Sequence, residues 1–213
     1  MSDLPDQERM DPMRTVWWQG IDDPDRIDRA SISIDERVSA PFVAEGVSTT
    51  PDYDLSWQLE TGPCYLTRRL IVSIASASER RRLDLRRDEH GRWTTHGDEG
   101  AATIEAVAGA DDCDLGLCPV TNSMPMLRSV LPRKGTTIDA PGPEHQFLMA
   151  WVEVPSLRVL ASGQLYRLIS SSADGFVVRY TSQQRDFTAD LVVDADGVVV
   201  DYPQLARRIP DPG

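Results

Sequence analysis

Asp111, Asp112 and Asp114 flank Cys113, and Cys118 follows with four residues between the two thiols. Neighbouring carboxylates such as Asp111 and Asp112 can divide acid and base roles between them, one protonated and the other not. The plainer reading of acidic residues gathered in a loop is a solvated turn. A cysteine nucleophile needs a base at its side, and nothing in the spacing puts His145 beside Cys113 or Cys118. His90, His96, Cys113 and Cys118 could be sketched as metal ligands, but their separations are not those of a zinc knuckle. Neither a Gly-x-Ser-x-Gly elbow nor a glycine-rich phosphate loop occurs. No catalytic residue, metal or cofactor is therefore expected. An enzyme, a hydrolase or lyase using Asp112, Asp114 or His145, is the alternative.

Near the C-terminus, residues 191–200 read Leu-Val-Val-Asp-Ala-Asp-Gly-Val-Val-Val. An apolar strand ending in Asp-x-Asp-Gly looks like the nucleophile strand of haloacid-dehalogenase-type phosphatases. That chemistry needs a long α/β core after the first Asp, and only 19 residues follow Asp194. The better reading is a hairpin whose Asp-Gly supplies the positive φ of a tight turn. Nor does the run carry the longer series of oxygen ligands of a calcium loop.

The most unusual stretch is 111–131. It joins acidic residues to Cys118-Pro119, then Thr121-Asn122-Ser123, then Met124-Pro125-Met126 and Arg128. Proline fixes φ, and Asn and Ser bond their own backbone, so fixed turn geometry is expected there.

The rest of the chain must hold that segment, and its periodicity is mostly two. Strands are expected over 41–48, 53–59, 65–74, 82–87 and 92–95, then over 146–154, 158–169, 175–182, 187–194 and 198–202. Residues 103–108 read as a short strand or a helical turn. Trp17 and Trp18 are expected to be core anchors. Residues 146–154 are apolar on both faces, as in a strand between two layers or facing an apolar cavity. Arg68 shares a strand face with Leu66, Leu70, Val72 and Ile74. It has either a carboxylate partner or a rim position, or else it anchors an anionic or sugar headgroup. With no convincing long helix and no internal repeat, the fold class is all-β. A single large, strongly curved antiparallel barrel of about a dozen or more strands, spanning 14–211 after a disordered tail over 1–13, would remove the exposed edges.

Composition limits the partners. The chain of 213 residues carries a formal charge of −12, which opposes nucleic acids and anionic membrane surfaces. No run approaches the roughly 18 apolar residues of a membrane helix, so no membrane insertion is expected. Three cysteines and an acidic start without an apolar core fit a cytoplasmic protein with reduced thiols.

Several of these motifs together resemble a known family. Asp112-Cys-Asp-Leu115, Pro119-Val-Thr-Asn-Ser-Met-Pro-Met126 and Arg128 resemble the signature of the bacterial family named "putative glycolipid-binding", formerly a domain of unknown function. The order continues with Tyr65-Leu-Thr-Arg-Arg-Leu-Ile-Val72, Leu83 to Trp93, Gln164-Leu-Tyr166 and the Asp201-Tyr-Pro203 ending. Cys118-Pro119-Val120 stands where the family tends to have Thr-Pro-Phe, and one of two arginines near Arg128 is missing. The resemblance implies a barrel similar to lipoprotein carriers, which binds lipid or glycolipid without catalysis.

The expected ligand is thus an amphipathic small molecule. Arg68, Asn122, Arg128, Gln164 and Tyr166 would orient its head, and Phe147, Met149 and Trp151 would wall its chain. A third reading is an interaction scaffold whose interior is filled by side chains.

Overall fold

The computed structural model describes residues 13–97, 100–132, 136, 138 and 140–212. The tail expected over 1–13 lies outside them except for Met13. The first half holds β1 (Arg14–Gly20), β2 (Ile27–Ile34), β3 (Phe42–Thr49), β4 (Tyr53–Thr61), β5 (Thr67–Ser76), β6 (Arg80–Arg87), β7 (Trp93–Gly97) and β8 (Gly100–Thr103). The second holds β9 (Asp112–Leu115), β10 (Glu144–Val152), β11 (Val159–Ser171), β12 (Gly175–Ser182), β13 (Phe187–Asp194), β14 (Val199–Tyr202) and β15 (Ala206–Ile209). No helix among the described residues is long and apolar enough to cross a membrane.

All fifteen strands form one sheet, in the order β8-β7-β6-β5-β4-β3-β2-β1-β15-β14-β13-β12-β11-β10-β9. The expected closed, wholly antiparallel barrel is corrected on two counts. β9 runs parallel to β10, and among the described residues no ladder joins the edges β8 and β9. The sheet curls instead. Register places Asp112 and Asp114 on the same face of β9 and β10 as Met149, while Cys113 and Leu115 share the other with Ala150 and Val152. That second face packs into the core of the first half, with Trp18, Leu70 and Val72. At its start β9 meets β5, where the Thr67 N–H donates to Asp111 O at 3.3 Å and the Cys113 N–H to Thr67 Oγ1 at 3.0 Å. The curled-in edge takes up the space that closure would have enclosed.

The two-sided burial expected over 146–154 therefore holds for Met149, Ala150 and Val152, all at 0% exposure, but not for Leu148, which is exposed. Trp18 is a core anchor whose Nε1 donates to Val199 O at 2.9 Å. Trp17 points the other way, beneath the Arg29 guanidinium at 5.7 Å. The Asp-Ala-Asp-Gly run is the turn between β13 and β14, with Gly197 at φ +80°.

The turn geometry expected for 119–126 is also revised. Pro119–Asn122, Ser123–Pro125 and Met126–Val130 form one continuous helical segment, tight at first and widened at its end, where the Leu131 N–H reaches Met126 O at 2.9 Å. Thr, Asn, Ser and Pro are poor helix formers, but Pro119 stands at the first helical position, where no N–H is needed. All of 119–126 is buried. Val120 and Met124 enter one core, and Met126 and Val130 enter the second, with Tyr166, Tyr180 and Leu191. Burial on both sides overrides propensity, and the segment becomes a wedge between the halves of the sheet.

Candidate functional site

The wedge and the curled-in edge meet in a buried polar chain. Asp112 and Arg128 form a two-pronged ion pair at 2.9 and 2.6 Å, with the Asp112 side chain fully buried. The Arg128 guanidinium also lies over the Phe147 ring at 5.4 Å. Two residues along β9, Asp114 accepts from Thr121 Oγ1 at 2.9 Å and Gln164 Nε2 at 2.6 Å. Gln164 Oε1 in turn accepts from the Tyr166 hydroxyl at 2.9 Å, and that hydroxyl accepts from Asn122 Nδ2 at 2.7 Å. Burial raises the Asp112 and Asp114 carboxyls above their ordinary range, while the hydrogen bonds they accept pull the other way. Burial likewise raises the Tyr166 phenol, with Asp114 adding to the effect.

Of the residues expected from sequence to bind a ligand, the structure therefore gathers Asn122, Arg128, Gln164, Tyr166 and Phe147. Asn122, Tyr166 and Gln164 bond one another, while Arg128 and Gln164 also hold the β9 aspartates. Met149 lies level with Asp112 in the β9–β10 register and is fully buried. Trp151 is half-buried beneath Arg185 at 5.3 Å. Arg68 is not part of the group. A register shift opposite Glu60 and Thr61 turns Thr67 inward and Arg68 outward, 3.9 Å from Glu60 Oε1.

His145 stacks on Phe147 at 6.3 Å between centroids. Burial pushes the Cys118 thiol up to about 12 and the Cys113 thiol higher still, which holds both as unreactive thiols. Trp18, Phe42, Leu59, Leu70, Leu85, Met124 and Tyr180 each keep under 2% of their surface. Walls of a cavity wide enough for an acyl chain would keep accessible area on it. The gap beside Trp18, Leu55, Trp57 and Leu115 measures only about 20 Å³.

Open space lies instead on the outward face of β2–β6. One cross-strand row runs Arg29–Val47–Ser56–Ser73–Arg82, and the row beside it Ser31–Glu45–Gln58–Ile71. Small side chains make a floor between longer ones. Three overlapping grooves follow this trough. One of 370 Å³ at Met13, Val43 and Ile71 leads to one of 340 Å³ over Ser31, Gln58 and Ser73. That one shares Val47, Ser56 and Arg82 with a groove of 560 Å³ at Arg80, Arg81 and Ala75. Met13 and Val47 are among the exposed large hydrophobic side chains, at 41% and 39%. Sequence reading passed over this row because each residue on its own is an ordinary outward strand residue. Only the strand register brings Ser56 and Ser73 side by side between longer outward side chains.

No curated protein matches the chain. The crystal structure of a DUF1089 family protein from Pseudomonas aeruginosa is similar, with a TM-score of 0.61 at 23% identity over 98% of this chain and 100% of that one, and it supports the fold. A family model described as "Putative glycolipid-binding" matches residues 15–208. Covering nearly all of both halves of the sheet, that match makes the chain a member of the putative glycolipid-binding family.

Proposed function

We propose that the protein binds an amphipathic molecule of the glycolipid type without acting on it chemically, in the outward trough of β2–β6. The observation that carries this reading is the mixed lining of the trough. Met13, Val43 and Ile71 give apolar surface at one end, Ser31, Gln58 and the Glu45 carboxylate a polar middle, and Arg80 and Arg82 cations beside Ile74 and Ala75 at the other. Apolar area at one end would hold a chain, and hydrogen-bonding groups further along would orient a sugar. The tight packing of the interior supports the same choice, since Tyr166, Gln164 and Met149 are fully buried.

The test is native mass spectrometry of gently purified protein, with solvent extraction of whatever is bound, alongside the Ser56→Trp variant. Ser56 is exposed on the trough floor, so an indole there would fill the groove without entering the core. A stoichiometric lipid adduct that disappears in Ser56→Trp is the expected result. An adduct that survives in the variant would place the ligand elsewhere. Protein free of adduct, with no thermal shift across a lipid panel, would end the binding reading.

A further inference from the structure

We infer that the head of the bound molecule is anionic, a sugar bearing a phosphate, sulfate or carboxylate, and that Arg80 and Arg82 hold its charge while Arg29 faces it across the trough. The inference rests on the trough being the binding site, and it follows from where the chain leaves arginines without carboxylates. Acidic residues outnumber basic ones by 34 to 22, so an arginine here has many possible partners. Those near the trough mostly take one. Arg69 and Arg86 share Asp84, at 2.6 and 2.9 Å, and Arg81 holds Glu79 at 2.6 Å. Among the described residues Arg80 and Arg82 form no ion pair, and Arg29 only lies over the Trp17 ring.

Their geometry suits one anion and one sugar. Arg80 and Arg82 project from the same face of β6, opposite Ala75 and Ser73, with Cα atoms about 7 Å apart. Two cations so placed repel each other, and an anion between them removes that repulsion. Arg29 stands four strands away in the Arg82 row, about 19 Å along the sheet. Between these two rims the floor carries the hydroxyls of Ser56 and Ser73. The acidic groups lining the trough are set back from this point. Glu45 lies in the neighbouring row, where it can accept from sugar hydroxyls, and Asp54 is in the Arg80 row, two strands or about 10 Å away.

The test compares octyl glucoside with octyl glucoside 6-phosphate, below their micelle concentrations, by calorimetric titration of the full chain. The phosphorylated ligand should bind about tenfold tighter, the usual effect of a charge-assisted pair of hydrogen bonds. The preference should shrink as salt rises. Arg82→Gln should abolish the preference, so that the two ligands bind alike, while Ser56→Trp should weaken both. Equal affinity for the two ligands, with both still lost in Ser56→Trp, would overturn the anionic head and leave the trough standing. Failure of both to bind, or equal binding by glucose 6-phosphate or inorganic phosphate without the octyl chain, would overturn the trough reading as well.

Discussion

Tyr166→Phe separates a structural role for the buried polar chain from a ligand-binding one. The substitution removes one oxygen and keeps the ring, with its edge-on contacts to Phe147 at 5.7 Å and Tyr180 at 5.2 Å. Two partners are then stranded. Asn122 Nδ2 loses its acceptor and Gln164 Oε1 loses its donor, and both residues are at or below 3% exposure, so water cannot replace the hydroxyl. A buried polar group left without a partner costs about 1–3 kcal/mol, so the pair should cost about 2–5 kcal/mol. For a domain of this size each kcal/mol is worth about 2–4 °C of melting temperature, which puts the expected drop at about 5–15 °C. Urea titration followed by tryptophan fluorescence would measure it, with ligand affinity determined on the folded variant. Unchanged stability together with lost ligand affinity would refute the reasoning, because it would mean that the hydroxyl faces a ligand rather than its two neighbours.

Arg128→Met should destabilise by about 3–5 kcal/mol by leaving the Asp112 carboxylate buried and alone, and the double change Asp112→Leu with Arg128→Met should cost less, as chemical denaturation would show. Asp84→Asn should reveal a pH dependence. Arg69 and Arg86 hold the Asp84 carboxyl well below its ordinary range, so its contribution is present above the unfolded value of about 3.9 and is lost as pH falls toward the folded one. The stability gap between wild type and variant should accordingly hold from pH 7 to about pH 4 and narrow below that. Gly197→Ala should cost about 1–3 kcal/mol in the same assay, since a Cβ at φ +80° would also sit 2.6 Å from Leu127 Cδ2 on the wedge.

The sequence carried the sheet better than its interior. Strands β12 and β13 fall where alternation put them, because each has one buried and one exposed face and clear turns at both ends. β1 and β2 were less legible. Trp17 and Trp18 are both aromatic, so their neighbourhood shows no period of two until the partner strands reveal that one faces in and the other out. β9 was hidden for a different reason: Asp112-Cys-Asp-Leu115 is too short to establish a period, and its aspartates, which read as a solvated turn, are buried. The wedge was misread because Pro125 and the Thr-Asn-Ser run argue for turns, and only packing against two cores makes them helical. Arg68 shows how a single register shift moves a side chain to the opposite face, which alternation counted from the sequence cannot detect. Asn122, Gln164 and Tyr166 were picked as groups that orient a ligand head, and the structure brings the three together. What sequence could not say is that they would satisfy one another.

The strand order is the chain order read around a circle and cut between β8 and β9. Every neighbouring pair is therefore consecutive along the chain, except β1 with β15. Most of the ladder can zip from hairpins, with contacts of low sequence separation unusual for so large a β protein. Joining β1 to β15 closes a loop of nearly the whole chain, which costs about 2–3 kcal/mol more in entropy than closing a ten-residue hairpin. Loop entropy thus favours pairing within each meander before the two are joined at the seam. That seam is riveted by Trp18, which donates to Val199 across it and lies under the Arg208 guanidinium at 5.8 Å. Weakening that rivet would act mainly on how fast the halves part, leaving the rate at which each one assembles nearly untouched.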